Sequence, residues 1–179
     1  SLRSGTVDWN IPARHDLLAT IEEETDQLNL LVGNLLDMSR IESGALRPEK
    51  TWNSISEIAM GVVTKMRKQL QAHLLEIDFP SDLPLVPTDY ILIGQVFTNL
   101  ISNAIEAMTD VGDTLVVKVA KADTPAARGH VEISVSDNGP GIPADIAEHI
   151  FEPFVTTRQK GTGLGLAITK QIVNAHKGS

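Results

Sequence analysis

A long apolar stripe in the first quarter of the chain most constrains how the chain can fold. From Leu17 the apolar positions recur in alternating steps of three and four, broken only at Glu24, which predicts one helix over about residues 13 to 42. The stripe comprises Leu17, Ile21, Leu28, Leu31, Leu35 and Met38, widened by Leu18, Val32 and Leu36. Such a helix needs a partner to bury its apolar face. We therefore expect residues 1–45 to be one helix of a bundle completed from elsewhere.

After Gly44 the pattern changes to strands alternating with helices, which indicates a separate domain over residues 46–179. Ser54 with Glu57 forms a capping-box pattern at the start of a helix that extends to about Gln71. The remaining predicted elements are strands near 74–79, 85–86, 115–119 and 131–135, and helices over 87–105, 144–150 and 166–175.

Composition excludes several classes of protein. The chain has 179 residues and a formal net charge of −8, which argues against nucleic acid as a partner because phosphate backbones are bound by basic surfaces. It contains no cysteine, so disulfides and thiolate metal sites are excluded. No apolar run approaches the ~20 residues that a membrane-spanning helix needs.

Two segments carry side chains suited to a ligand. Asn99 and Asn103 lie four residues apart on one face of a predicted helix, and amide oxygens are suitable ligands for Mg²⁺. Asp137 directly follows an apolar strand and begins Asp-Asn-Gly-Pro-Gly, where a carboxylate can accept from an exocyclic amine and glycines admit a flat ring. Each has a simpler reading, either a solvated helix face or an ordinary strand-end turn.

Two further segments follow in the chain. Phe151 and Phe154 precede Thr156-Thr-Arg-Gln-Lys160, whose basic residues could meet a polyphosphate, although two core phenylalanines beside a surface turn would look the same. The segment 161–166, Gly-Thr-Gly-Leu-Gly-Leu, leads directly into the last helix, where backbone N–H groups can cradle phosphate. It matches neither the dinucleotide fingerprint nor a P-loop.

In this order, the four segments resemble the N, G1, F and G2 boxes of the sensor histidine kinase catalytic domain, within the gyrase–Hsp90–histidine kinase–MutL superfamily. Residues 31–46 and 83–93 are similar to kinases of the potassium-responsive KdpD type, whereas residues 103–108 and 152–158 resemble the nitrogen-regulator type. The resemblance implies an α+β fold. This would be a two-layer α/β sandwich of the Bergerat type, a mixed sheet covered by helices and preceded by a long bundle helix.

The resemblance also implies that ATP and Mg²⁺ are the cofactors. Asn103 would ligate Mg²⁺ with Asn99 nearby, and Asp137 would accept from the adenine amino group. The other residues implied in nucleotide binding are Gly139, Gly141 and Ile142 at the adenine pocket, Phe151 and Phe154 as anchors of a lid, Thr157, Arg158 and Lys160 within it, and Gly161, Thr162, Gly163, Leu164, Gly165 and Leu166 along the triphosphate.

Two differences from related proteins involve three positions. Hydrolysing members of the superfamily have a Glu where this chain has Asn99, and an amide cannot take a proton from water near neutral pH. Many histidine kinases have Lys and Tyr where this chain has Glu106 and Ala107. The first difference favours phosphoryl transfer over hydrolysis, and the second removes a lysine contact to phosphate.

By the same resemblance, the chain would serve the transfer of the γ-phosphoryl group to a histidine and then to a response regulator receiver domain. That histidine would lie on a preceding helix outside this chain, so no catalytic residue is assigned here, and His15 is read as a capping or solvent-facing residue. We expect the chain to lack closing C-terminal strands and to bind nucleotide without autophosphorylating. The parent protein would be a homodimer through the helical hairpin, with this part on the cytoplasmic side of a membrane-associated kinase. The alternatives are a nucleotide-binding regulator without catalysis and an ATP-hydrolysing module of the same superfamily.

Overall fold

The computed structural model describes residues 11–42, 46–109, 111–122, 129–158 and 161–179. Helix α1 extends over Ile11–Glu42, close to the predicted range. Large apolar side chains along it remain well exposed, namely Leu18, Ile21, Leu28, Val32, Leu35 and Leu36, and His15 is also exposed. In the described part of the chain, no helix is both long and apolar enough to cross a membrane.

Within the described residues, nine further elements follow α1. In chain order they are β1 (Thr51–Asn53), α2 (Ile55–Lys65), α3 (Arg67–Leu70), β2 (Leu74–Asp78), β3 (Val86–Thr88), α4 (Tyr90–Ala107), β4 (Thr114–Lys121), β5 (Val131–Asp137) and α5 (Gly165–Ala175). The segment 144–150, predicted as a short helix, instead forms successive turns with i to i+3 hydrogen bonds from Ile146, His149 and Glu152. These bonds recur at three-residue steps, as in successive 3₁₀-like turns, so the i to i+4 pattern of an α-helix is not formed between the prolines at 143 and 153 that bound the segment.

The main sheet is mixed, as the resemblance implied. Its order is β2-β4-β5, with β2 parallel to β4 and β4 antiparallel to β5. Alternate residues of β4, namely Leu115, Val117 and Val119, are completely buried, while Lys118 between them is exposed. The sheet therefore buries one face only, as a two-layer sandwich requires. A separate two-stranded antiparallel sheet joins β1 to β3.

Helices α2, α4 and α5 cover the inner face of the sheet. The core combines their apolar faces with β4, and Phe97, Ile101, Ile168 and Ile172 are almost fully buried within it. Because one face of α4 supplies this core, the other face is left to carry polar residues.

Side-chain caps fix where α2 and α4 begin. Ser54 accepts a hydrogen bond from the backbone N–H of Glu57 at 3.3 Å, as the capping-box pattern predicts. Asp89 caps α4 by accepting from the N–H groups of Ile91 and Leu92, so this helix begins later than the predicted residue 87. The N–H of Asp89 also donates to Nε2 of His176, which ties the start of α4 to the end of α5.

Candidate functional site

Helix α4 carries the segment with Asn99 and Asn103, and the other three chemistry-bearing segments contact this helix. Segment 161–165 meets the helix at Asn99, Arg158 meets it at Asn103 and Glu106, and the turn after β5 approaches it at Ala107. Asn99 and Ala107 are eight residues apart, which is about 12 Å along a helix. The structure thus gathers segments that are far apart in sequence along one polar edge of α4.

Asn99 joins α4 to the start of α5. Its side chain is only 8% exposed, and its Nδ2 donates to the carbonyl oxygen of Gly165 at 3.1 Å and to Oγ1 of Thr169 at 3.4 Å. These bonds use the amide nitrogen and leave the amide oxygen as the remaining polar atom of the side chain. Asn99 is therefore a structural link between two helices and not a solvated surface residue.

Asn103 lies one turn further along α4 and faces a cation from its own chain. Its Oδ1 accepts from the Arg158 guanidinium at 3.1 Å, and its backbone carbonyl accepts from the same group at 2.8 Å. Glu106 forms an ion pair with that guanidinium. The amide oxygen predicted to bind Mg²⁺ is thus placed in a position that already attracts positive charge.

Asp137 ends β5 and organises the turn that follows. Its Oδ1 accepts from the N–H of Gly139 at 2.9 Å, and within the described part of the chain its Oδ2 has no hydrogen bond. A Cβ at Gly139 would lie 2.8 Å from Asp137 Oδ1 and 3.1 Å from the carbonyl oxygen of Ala107, so only glycine fits without displacement. The exposed carboxylate can therefore accept one further donor, such as an exocyclic amine.

Asn138 has a structural role that the sequence did not reveal. Its Oδ1 accepts from the N–H groups of Asp113 and Thr114, at 2.8 and 2.9 Å, and its Nδ2 donates to Asp113 Oδ1. The Thr114 hydroxyl, and after it Asn138 Nδ2, donate to Asp113 Oδ1 and hold the pKa of the Asp113 carboxyl below its usual range. Gly112, with φ of 101°, lets the backbone pass against Asn138. These hydrogen bonds join Asn138 to Asp113, 25 positions away, and no local sequence pattern indicated them.

The two ends of the segment 154–163 are joined through their backbones. The N–H of Phe154 donates to the carbonyl oxygen of Gly163 at 2.9 Å. Gly163 has φ of 65°, and a Cβ there would lie 2.7 Å from both Phe154 Cα and Val155 N. Phe154 itself adopts φ of 68°, unusual for an aromatic residue. This closure supports the expectation that Phe154 anchors the segment, through its backbone, since its side chain is exposed.

The remaining predicted residues lie on the turn after β5, on the segment 151–158 and on the segment 161–166, except one that lies outside the described residues. Phe151 is 43% exposed, with the Lys170 ammonium 5.3 Å from its ring centre, so neither phenylalanine is a core residue. Gly141 adopts a left-handed backbone conformation, with φ of 78°. Ile142 and Thr157 are exposed. Thr162 Oγ1 accepts from the N–H of buried Leu164, and Leu166 is half-buried. Lys160 lies outside the described residues.

The residues present fit a metal-bound nucleoside triphosphate. At one end of the polar edge of α4 Asp137 offers a carboxylate oxygen for an amine, and at the middle Asn103 offers an amide oxygen that already accepts from a cation. At the other end, the glycines before α5 bring backbone N–H groups to a helix N-terminus. Base, metal and phosphate would thus be arranged in sequence along α4.

Comparison with known proteins agrees with this geometry. Residues 88–179 match the family described as histidine kinase-, DNA gyrase B-, and HSP90-like ATPase. The chain is 33% identical over 171 residues to the sensor protein KdpD of Clostridium acetobutylicum, a match covering 92% of this chain and 18% of that protein. It is 41% identical over 115 residues to the sensory histidine kinase/phosphatase NtrB of Rhodobacter capsulatus, covering 60% of this chain and 32% of the relative. The chain therefore spans well under half the length of these curated relatives.

Solved structures of histidine kinases share the fold. The catalytic domain of ThkA is 34% identical with a TM-score of 0.59, and the alignment covers 72% of this chain and 82% of that one. The histidine kinase AdeS of Acinetobacter baumannii aligns over 97% of this chain and 78% of its own, with 25% identity and a TM-score of 0.70. Full-length ShkA in complex with AMPPNP aligns over 94% of this chain and 35% of its own, with 28% identity and a TM-score of 0.73. Fold, site geometry and similarity together show that the chain belongs to the histidine kinase-, DNA gyrase B-, and HSP90-like ATPases and carries an ATP-binding catalytic domain of the sensor histidine kinase type.

Proposed function

We propose that this chain binds Mg-ATP along the polar edge of α4 and presents the γ-phosphoryl group for transfer to a histidine. Transfer from that histidine to a response regulator receiver domain would follow. The observation that carries the proposal is that Asn99, Asn103 and Ala107 of one helix each meet a different predicted nucleotide-binding segment. Such an arrangement positions reactants, which is the main task of a protein in phosphoryl transfer.

Asp137 would select adenine. Its Oδ1 is used by the N–H of Gly139, so Oδ2 would accept from the 6-amino group, while Gly139, Gly141 and Ile142 would border the base. Asn103 Oδ1 would ligate Mg²⁺, which prefers oxygen donors and shares its coordination with phosphates and water. Bound Mg²⁺ would neutralise charge on the β- and γ-phosphates. Gly161, Gly163 and Gly165 would offer backbone donors to the triphosphate, near Thr162, Leu164 and Leu166.

The side chain of Asn99 favours transfer over hydrolysis. Its amide nitrogen is bound to Gly165 O, and an amide has no proton affinity near neutral pH, so Asn99 cannot act as a base toward water. A water molecule beside the γ-phosphate would thus lack activation from this position. An acceptor activated by its own neighbours would be needed, as a histidine on another helix would supply.

The helix α1 suggests how the acceptor would be presented. Its apolar stripe is exposed, with Leu28 and Leu35 each 59% exposed, and a helix with such a stripe is stable when packed in a bundle. We propose residues 1–45 as part of a dimerising helical hairpin and residues 46–179 as the nucleotide-binding domain. Replacing Leu28 and Leu35 together by Asp should lower the fraction of dimer in sedimentation measurements and leave nucleotide affinity unchanged.

Nucleotide binding tests the core of the proposal. Isothermal titration with Mg-ATP and Mg-ITP separates adenine recognition from phosphate binding, because ITP has a carbonyl in place of the 6-amino group. Asp137→Asn should weaken ATP binding by about 10-fold or more, as expected for a hydrogen bond to a charged group worth ~1.5–3 kcal/mol, and should spare ITP. Asp78→Asn, on the outer face of β2, is the matched control and should bind both nucleotides normally.

Two results of these titrations would contradict the proposal. No ATP affinity in the unmutated chain at millimolar concentration would refute the function. Equal weakening of ATP and ITP by Asp137→Asn would remove Asp137 from base recognition and leave only a role in shaping the turn. Asn103→Ala, which removes the amide oxygen and adds no charge, should weaken binding more in the presence of Mg²⁺ than in its absence.

A further inference from the structure

Arg158, Asn103 and Glu106 form a three-residue cluster, here called the Arg158 bridge, between α4 and the segment after Phe154. The guanidinium donates to Oδ1 and to the backbone carbonyl of Asn103, at 3.1 and 2.8 Å, and pairs with the Glu106 carboxylate. The Arg158 side chain is 34% exposed and that of Glu106 is 55% exposed. Backbone and side-chain contacts together fix the guanidinium in one orientation.

The bridge uses the atom that the proposed metal would need. Asn103 Oδ1 has two lone pairs, but a guanidinium bound to one of them would lie only about 4–5 Å from a Mg²⁺ ligated at about 2.1 Å to the other, and the two cations would repel each other. The arginine therefore occupies a cation position beside Asn103 in this structure. Binding of Mg-nucleotide is opposed as long as Arg158 stays at Asn103 Oδ1.

Glu106 lies where a helix disfavours an acidic residue. It occupies the last turn of α4, which ends at Ala107, and the partial negative charge of the helix C-terminus opposes a carboxylate there. The Arg158 guanidinium offsets that repulsion. A locally unfavourable residue compensated by a long-range pair is the kind of conflict that occurs at functional positions.

We propose that the Arg158 bridge controls access to the metal position: Glu106 holds Arg158 at that position until Mg-nucleotide displaces it. This inference rests on the proposed function, since it concerns loading of the same site. Glu106 stabilises the nucleotide-free arrangement and thereby raises the Mg²⁺ concentration at which nucleotide binds. Arg158, once released, is free to move toward the phosphates.

Titration of ADP binding at a series of Mg²⁺ concentrations tests the exchange. Glu106→Ala should lower the half-saturating Mg²⁺ concentration by about 2- to 5-fold, the factor equivalent to a partly exposed ion pair of ~0.5–1 kcal/mol. Glu106→Gln, which keeps a hydrogen-bonding group, should give a smaller shift. Glu132→Ala, at an exposed position on the outer face of β5, removes the same charge elsewhere and should give none.

A double-mutant cycle separates the bridge from simple repulsion between Glu106 and the metal-bound phosphates. With Arg158 replaced by Ala, the additional change Glu106→Ala should have no effect on the Mg²⁺ dependence, because the pair no longer exists. A shift of equal size in both backgrounds would overturn the bridge in favour of general charge repulsion. An unchanged Mg²⁺ curve for Glu106→Ala, in a chain that still binds ADP, would overturn it as well.

Trypsin cleavage after Arg158 gives a readout that needs no nucleotide. The bridge should protect this bond in the ligand-free chain, so Glu106→Ala should be cut there several-fold faster than the unmutated chain or Glu132→Ala, as followed by mass spectrometry of the peptides. Equal cleavage rates would contradict the bridge even if nucleotide binding is normal. Absence of ADP binding in the unmutated chain together with faster cleavage of Glu106→Ala would instead refute the proposed function and leave the contact standing.

Discussion

Gly163 and Gly165 belong to one glycine-rich segment, yet the structure predicts opposite consequences for replacing them by alanine. Gly163 has φ of 65°, and a Cβ there would lie 2.7 Å from Phe154 Cα and Val155 N, which are backbone atoms that cannot rotate away. Gly165 is the first residue of α5, and a Cβ there would lie 3.7 Å from Asn99 Cγ, an ordinary contact. The pair is therefore a matched test of which glycine the fold requires.

The expected cost at Gly163 has two parts. A left-handed backbone costs a non-glycine residue about 1–2 kcal/mol, and forcing a methyl group against packed atoms costs a further ~1–3 kcal/mol. Because the segment can relax by breaking the bond from Phe154 N to Gly163 O, the lower part of the sum applies, about 2–3 kcal/mol. At ~2–4 °C per kcal/mol for a chain of this size, Tm should fall by about 4–12 °C.

Gly165→Ala should behave in the opposite way. Alanine is favoured over glycine in a helix by about 0.5–1 kcal/mol, so Tm should stay the same or rise by ~1–4 °C. Thermal unfolding followed by circular dichroism measures both variants, and Mg-ATP titration then shows whether either loses affinity. A stable Gly165→Ala chain that no longer binds ATP would place the triphosphate against that position.

Two results would refute the reasoning about Gly163. A Gly163→Ala chain with Tm within about 1 °C of the parent and unchanged ATP affinity would mean that the closure onto Phe154 does not constrain the segment. An equal loss of Tm for both variants would mean that the effect comes from glycine content, and not from the backbone geometry at Gly163.

Four further predictions concern residues outside the glycines. Asn138→Ala removes the acceptor for the N–H groups of Asp113 and Thr114 and should lower the free energy of unfolding by about 1–2 kcal/mol in urea. The pKa of the Asp113 carboxyl is held below its ordinary value of 3.8, so the stabilisation that this carboxylate gives to the fold is present above that pH and is lost as the pH falls through the lowered pKa. The difference in free energy of unfolding between the parent and Asp113→Asn should therefore shrink on acidification below about pH 4. Asn99→Ala should lower the free energy of unfolding by about 1–3 kcal/mol, because the carbonyl of Gly165 loses its partly buried partner. Ser54→Ala should lower it by about 1 kcal/mol, because the helix cap is lost, and the same urea titration measures both variants.

The sequence predicted the elements well because burial leaves a local pattern. The alternation of Leu115, Val117 and Val119 predicts a strand with one buried face, and these residues are completely buried in β4. The Ser54 cap is likewise local, since donor and acceptor are three residues apart. The short helix predicted at 144–150 was wrong: this segment, bounded by the prolines at 143 and 153, forms i to i+3 turns, and its apolar spacing does not distinguish such turns from an α-helix.

The details of the candidate site were beyond the sequence for a different reason. Asn99 pairs with Gly165 across 66 positions, and Arg158 pairs with Glu106 across 52. Such contacts depend on how α4, α5 and the turns are packed, which periodicity does not encode. The resemblance identified the residue types of the site, but it assigned Glu106 only as a missing lysine and did not predict its pairing with Arg158.

Helix α4 couples the stability of the core to the shape of the site. Phe97, Ile101 and Ala104 are buried against the sheet and its covering helices, while Asn99, Asn103 and Glu106 on the same helix contact the segments that would hold nucleotide. A rotation or shift of α4 would therefore move both sets of residues together. Ligand-free packing then positions the polar residues before nucleotide arrives, so the free energy of binding is not spent on ordering the helix. The release of Asn103 Oδ1 by Arg158 that we propose is a change in one side chain, and the hydrophobic core of the described residues includes none of the three residues of the Arg158 bridge.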